Sequence, residues 1–217
     1  MFTKAFLSIK VIVVLMKINT VIFDLGNVLI NFSHDLMFNN LSNAIGIESN
    51  RLKKELLDDS MLPQFERGLI STKELYEHFC KNFNKPLKYN DFIHSITHIF
   101  SPNAEMQSLL KHLHKKGLFL ILLSNTNKPH FEHIHTQYNF LKYFNEVILS
   151  YQVGFLKPER KIYEIALQKG KKKAKHCFFI DDCIKNIQGA EILGIKGHHF
   201  VCMSKLMEDL VNYGILD

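Results

Sequence analysis

Five short apolar runs constrain the fold of this chain more than any other feature. They fall at residues 20–24, 118–124, 146–150, 177–181 and 197–201. Each is apolar along most of its length and is closed by polar residues or glycine. Continuous apolar character without alternation is what strands of a parallel sheet show when helices cover both faces. The segments between the runs are amphipathic. Residues 103–116 place Met106, Leu109, Leu110 and Leu113 at helical spacing and stop at Gly117. Residues 158–169 carry Ile162, Ile165, Ala166 and Leu167, and residues 184–193 end at Gly194. Strand and helix in alternation predict an α/β fold, a doubly wound parallel sheet with right-handed crossovers.

One stretch interrupts the alternation. After the first strand, residues 34–102 contain no comparable apolar run but four helical faces, such as Leu75, Phe79 and Phe83, or Phe92, Ile96 and Ile99. About 65 residues of helix are too many for a crossover loop. The expected organisation is therefore an N-terminal extension at 1–17, a core formed by 18–33 and 103–217, and a helical cap at 34–102.

Composition narrows the class. The chain has 217 residues, 47% of them apolar and 22% charged, the profile of a globular protein with one substantial core and a small accessory unit. Its net charge of +6 comes from scattered Lys and Arg, and the one dense run, 169–175, reads as a solvated loop. With no groove-reading motif beside it, no nucleic-acid partner is expected. Cys80, Cys177, Cys183 and Cys202 show neither a CxxC pair nor metal-ligand spacing, which fits a reducing cytoplasm, with Cys177 a small buried hydrophobe. In the first 17 residues the uninterrupted apolar part, 11–16, has six residues and no cleavage site after it. It is read as an extension, with translation starting at Met16 as one option; no membrane partner is expected, an N-terminal anchor being the minor alternative.

In a sheet of this type ligands bind beyond the carboxyl ends of the strands. The first run delivers Asp24 there, the second Ser124 and Asn125, the fourth Asp181 and Asp182, and Lys157 precedes the helical segment that begins at Pro158. Alone, Asp24 reads as a cap or turn residue, Ser124 as an N-cap and Lys157 as a surface lysine. Together on one edge they are a site. Adjacent carboxylates such as Asp181 and Asp182 repel unless a cation lies beside them. This set suits phosphoryl transfer, which depends on positioning and on neutralising oxygen charge. Asp24 would be the nucleophile. Mg²⁺ would sit on Asp24 and Asp182 with Asp181 close by. Ser124 and Asn125 would bind phosphate oxygens, and Lys157 would supply compensating positive charge. The substrate would be a small phosphorylated metabolite.

Four segments carry a family resemblance: VIFDLGNVLINF, LILLSNT, GFLKPERKIY and FFIDDCIKNIQGAEILGI. They resemble the motifs of the haloacid dehalogenase superfamily over nearly the whole chain from Thr20 onward. QFERGLISTKELYEHF is similar to the subfamily holding bacterial sugar-phosphate phosphatases and the N-terminal domain of soluble epoxide hydrolases. The resemblance implies a Rossmann-like core with a cap, a nucleophile at Asp24, a sugar phosphate as first candidate substrate, and a metal ligand from the carbonyl of residue 26. It also implies an acid two residues after the nucleophile, where this chain has Gly26. Acid catalysis typically contributes ~10²–10⁴-fold, so its absence leaves open another proton source, a better leaving group or slow turnover. The rivals are a metal-independent dehalogenase, a phosphomutase and a catalytically weak binding protein on the same fold. Asn186 is expected to orient the acidic pair. His130, His133 and His135 are read as solvated surface histidines on different helix faces.

Overall fold

The computed structural model describes residues 17–57 and 61–217. The proposed extension, apart from Lys17, lies outside them. In chain order the elements are β1 (Thr20–Phe23), β2 (Ile30–Phe32), and five helices, α1 (His34–Ile45), α2 (Ser49–Leu57), α3 (Met61–Glu66), α4 (Thr72–Phe83) and α5 (Tyr89–Thr97). Then follow β3 (Phe100–Pro102), α6 (Ala104–Lys115), β4 (Phe119–Ser124), α7 (Lys128–Gln137), β5 (Glu146–Leu149), α8 (Ser150–Val153) and α9 (Arg160–Gly170). The chain closes with β6 (Cys177–Asp181), α10 (Ile184–Glu191), β7 (Lys196–His199) and α11 (Met203–Asn212).

All five apolar runs enter one parallel sheet of order β5-β4-β1-β6-β7. The chain steps outward from β1 through β4 to β5, then returns across it to β6 and β7. Reversing direction puts the connecting helices on opposite faces. Alternate residues of each strand feed the two sides: Val21, Phe23, Leu120 and Leu122 pack with α6, α7 and α11, while Ile22, Ile121, Leu123 and Phe179 pack with α9 and α10. Met106, Leu109, Leu110 and Leu113 form the buried stripe of α6, whose N-cap is Asn103. The last run begins one residue earlier than its apolar character suggested, and Val201 lies exposed beyond β7.

The helical insertion has its own apolar cluster, built from Phe38, Leu41, Leu52, Phe65, Phe79, Phe92, Ile96 and neighbours. Its base is closed by an antiparallel pair, β2 with β3, in the register Ile30↔Pro102 and Phe32↔Phe100. Ser71 starts α4 with a capping box closed by Glu74. The run at 169–175 ends α9 and turns into the next strand with Lys169, Lys171, Lys173 and Lys175 exposed. Among the described residues no helix is long and apolar enough to cross a membrane.

Candidate active site

The central strand β1 ends at Phe23, and the backbone N–H of Asp24 still donates to Ile180 in β6 at 2.9 Å. Asp24 is thereby held at the sheet edge, between the ends of β4 and β6. Beyond it the chain turns sharply: Asn27 adopts a left-handed φ of 53°, and its N–H donates to the Ile30 carbonyl at 2.7 Å. The Nδ2 of Asn103 and the Nε2 of Gln107 clamp this loop from α6 by bonding the Val28 and Leu29 carbonyls.

Lys157 joins the separate strands. Its Nζ lies 2.7 Å from Asp24 Oδ1 and 2.6 Å from Asp181 Oδ2, and its side chain is only 1% exposed. Asn125 fixes the lysine backbone on both sides, accepting from Lys157 N at 2.8 Å and donating to Lys157 O at 3.0 Å. Asn125 thus does structural work that the sequence did not reveal. Asp181 also accepts from Cys183 N at 2.8 Å and from Asn186 Nδ2 at 3.0 and 3.2 Å. Asn186 therefore orients one member of the acidic pair. The other member, Asp182, is half-exposed and accepts from Asn27 Nδ2 at 2.9 Å.

Electrostatics follow from burying two carboxylates around one ammonium. The Asp24 carboxyl is raised to about 7: burial pushes it up most, Lys157 pulls it back, and Asp181 adds to the rise. Burial opposes the charge on Lys157, but Asp24 and Asp181 outweigh it and hold the lysine charged. The cluster is short of positive charge. Asp24, Asp181 and Asp182 present carboxylate oxygens within 4.8 Å of one another, a hard-oxygen donor set of the kind that Mg²⁺ takes. A divalent cation beside the carboxylates would favour the ionised form of Asp24 against the burial, and the lesser repulsion from Asp181, that hold it high.

A cavity of about 260 Å³ opens over this edge. Asp24, Gly26, Ser124, Asn125 and Asp182 line it, while Lys157 and Asp181 stand behind Asp24. Asp24, Gly26, Ser124, Asn125, Lys157, Asp181 and Asp182 therefore fall at one place. Ser124 is the buried last residue of β4, with its Oγ 3.3 Å from the Asn125 carbonyl. Gly26 is covered by an aromatic ring: a Cβ added there would come within 2.8 Å of Phe32 Cε1.

Three contributors escaped the sequence reading. Asn27 lies inside the first motif, yet its bond to Asp182 spans 155 residues. Glu66, at the end of α3, reaches the cavity from the insertion. His130 lines it too, which corrects the reading of that residue as a solvated surface histidine. Its ring meets Phe100 edge-on at 5.2 Å, touches Asn127 Nδ2 at 3.1 Å and bonds the Ile96 carbonyl. Burial drives its pKa down to about 4. His133 is half-buried against His98 and Phe100, whereas His135 is exposed as expected.

Known proteins resemble both the sequence and this architecture. The family model described as haloacid dehalogenase-like hydrolase matches residues 18–194. A sesquiterpene phosphatase of Aspergillus oryzae is 26% identical over 145 residues, 66% of this chain and 74% of that protein. A HAD family enzyme of Bacteroides thetaiotaomicron, solved in complex with magnesium and inorganic phosphate, superposes with a TM-score of 0.78 at 25% identity, covering 87% of this chain and 98% of the other. A HAD-like family hydrolase of Porphyromonas gingivalis gives a TM-score of 0.74 at 26% identity, over 89% and 98% of the two chains. With its motifs gathered at one sheet edge and its family match running from the first strand through α10, the chain belongs to the haloacid dehalogenase-like hydrolases.

Proposed function

We propose that this hydrolase is a Mg²⁺-dependent phosphatase that cleaves a small phosphorylated metabolite through a phosphoryl group carried on Asp24. The observation that carries the reading is the Asp24–Lys157–Asp181 ion triad at the end of the central strand, beside Asp182 and beneath a cavity. A dehalogenase has no need of a second and third carboxylate around its nucleophile, whereas a phosphatase that must bring an anion up to a carboxylate does.

Asp24, Asp182 and the Gly26 carbonyl would hold the cation, with Asp181 next to them. When bound it supplies positive charge against which the phosphoryl oxygens rest. The remaining work belongs to the chain's own residues. Ser124 and Asn125, at the end of β4, bind phosphoryl oxygens. Lys157 keeps Asp24 ionised and oriented as it attacks phosphorus, and it stabilises the charge on the phosphorylated enzyme. Leu25 N–H, 2.6 Å from Asp24 Oδ1, fixes the carboxylate so that its other oxygen is free to attack. The insertion at 34–102 serves as a cap that closes the cavity from above.

For the substrate, the subfamily likeness favours a sugar phosphate. The phosphatase relative acts, by its name, on a sesquiterpene, and Ile30, Phe32, Phe100 and Ile134 give this cavity apolar walls beside the acidic edge. A phosphate ester of an apolar alcohol is therefore the second class to test. Four free cysteines suit a reducing, cytoplasmic setting.

The test is hydrolysis of p-nitrophenyl phosphate with Mg²⁺, with chelator, and by the Asp24→Asn variant, beside halide release from a 2-haloacid. The reading expects phosphate release that needs both Mg²⁺ and Asp24. Halide release that persists in chelator would replace it with the dehalogenase reading. A panel of sugar phosphates and isoprenoid phosphates then separates the two substrate classes.

A further inference from the structure

The first motif lacks its acid, and the structure gives a physical reason why residue 26 stays small. The Phe32 ring occupies the space into which a side chain at Gly26 would project. A proton for the leaving group has to come from another wall of the cavity. Besides the acidic cluster itself, the titratable side chains lining it are His34, Glu66 and His130. His130 has its ring nitrogens engaged by Asn127 and the Ile96 carbonyl, and desolvation keeps it neutral. The His34 imidazole, edge-on to Phe32 at 4.9 Å, is also shifted down, mainly by desolvation. A neutral imidazole is a poor proton donor.

Glu66 differs in both placement and chemistry. It is the last residue of α3, and the chain around it is fastened to the core at three points. Ser150 Oγ donates to the Glu66 carbonyl at 2.6 Å and also accepts from Thr126 N at 2.9 Å, next to Ser124 and Asn125. Arg67 pairs with Glu159 and donates to the Gly154 carbonyl at 3.3 Å. Gly68, at φ +70°, lies so close to the Tyr151 carbonyl that an added Cβ would sit 2.1 Å from its oxygen. These contacts hold the glutamate over the phosphate pocket. Burial keeps its carboxyl above the usual range, against the pull of Lys157.

We infer that Glu66, delivered from the helical insertion, is the general acid of this enzyme and fills the role that residue 26 cannot. The inference rests on the phosphatase reading. In the first step Asp24 attacks phosphorus, and the bond to the ester oxygen breaks with its electron pair passing to that oxygen. The Glu66 carboxyl gives it a proton, so an alcohol leaves. The Glu66 carboxylate then takes a proton from the water that attacks the phosphoryl group on Asp24. Phosphate departs, and both side chains return to their starting states.

Acid catalysis matters in proportion to how badly the leaving group needs a proton, which gives the test its discrimination. The full-length protein with Mg²⁺ is assayed on p-nitrophenyl phosphate, whose phenolate leaves unaided, and on 2-phenylethyl phosphate, whose alkoxide does not. kcat/KM is compared, because it reports only through departure of the first product. In Glu66→Gln the ratio of 2-phenylethyl to p-nitrophenyl phosphate activity should fall by ~10²–10⁴-fold, and Glu66→Asp should recover part of it. An equal loss on both substrates, or no loss on either, would overturn the assignment. So would wild-type activity confined to p-nitrophenyl phosphate. Wild type that hydrolyses neither would instead overturn the phosphatase reading itself, and Asp24→Asn should abolish both activities.

Discussion

Replacing Lys157 with methionine separates the account's electrostatic claim from its catalytic one. The ammonium contacts Asp24 and Asp181 at 2.7 and 2.6 Å, and the three side chains are 1%, 10% and 0% exposed. Methionine removes the ammonium, which also lies 5.6 Å from the centre of the Phe179 ring, and leaves two buried carboxylates facing each other. Removing one partner of a buried ion pair typically costs ~3–5 kcal/mol, and we expect a deficit of that size in urea unfolding at pH 7 with chelator present. The pH dependence follows from the directions of the shifts. The Lys157 pKa is raised in the folded state, so its stabilisation is fully present at pH 7 and is lost only above its ordinary alkaline range. Asp24 has a folded pKa raised from 3.8 to about 7. The metal-free folded protein therefore binds more protons than the unfolded chain between those values, and its stability falls as pH rises from about 4 to about 7. In Lys157→Met the carboxylates lose their neutralising partner, so they protonate still more readily on folding. The deficit against wild type should shrink at pH 5. A deficit below ~1 kcal/mol at pH 7, or one of equal size at pH 5 and pH 7, would refute the claim that Lys157 balances the two acids.

Two further changes probe the supports of the site. Asn186→Ala removes the amide that donates to both oxygens of Asp181. Mg²⁺ affinity by calorimetry should fall ~10–100-fold, with ~1–3 kcal/mol lost in stability. Gly68→Ala puts a Cβ against the Tyr151 carbonyl at a positive φ, so ~1–3 kcal/mol of backbone strain should appear in thermal unfolding, together with weaker docking of α3 and reduced kcat.

Most of the sheet could be read from the sequence because its strands are buried on both faces, leaving uninterrupted runs such as Phe178-Phe179-Ile180 in front of Asp181. The acids, Ser124 and Lys157 were visible because strand ends and loops fix their location whatever the detailed packing. The β2–β3 pair was not visible: its strands have three residues each, and one ends in Pro102. The short helix α3, with Pro63 inside it, is too brief to show a stripe, so Glu66 passed unassigned although its motif stood out. His130 was misjudged because helical spacing says nothing of what packs against a helix from elsewhere, here Phe100 and the carbonyl of Ile96. Asn27 hid in a left-handed turn whose partner, Asp182, lies just beyond the end of β6.

The central claim is that phosphorus becomes bonded to Asp24 during turnover. Acid-quenching the Mg²⁺-loaded enzyme within its first turnover of p-nitrophenyl phosphate, then mapping peptides by mass spectrometry, tests it directly. One added phosphoryl group is expected on the peptide containing Asp24, labile to hydroxylamine and missing from Asp24→Asn. A label on any other residue, or undiminished turnover by Asp24→Asn, would contradict it.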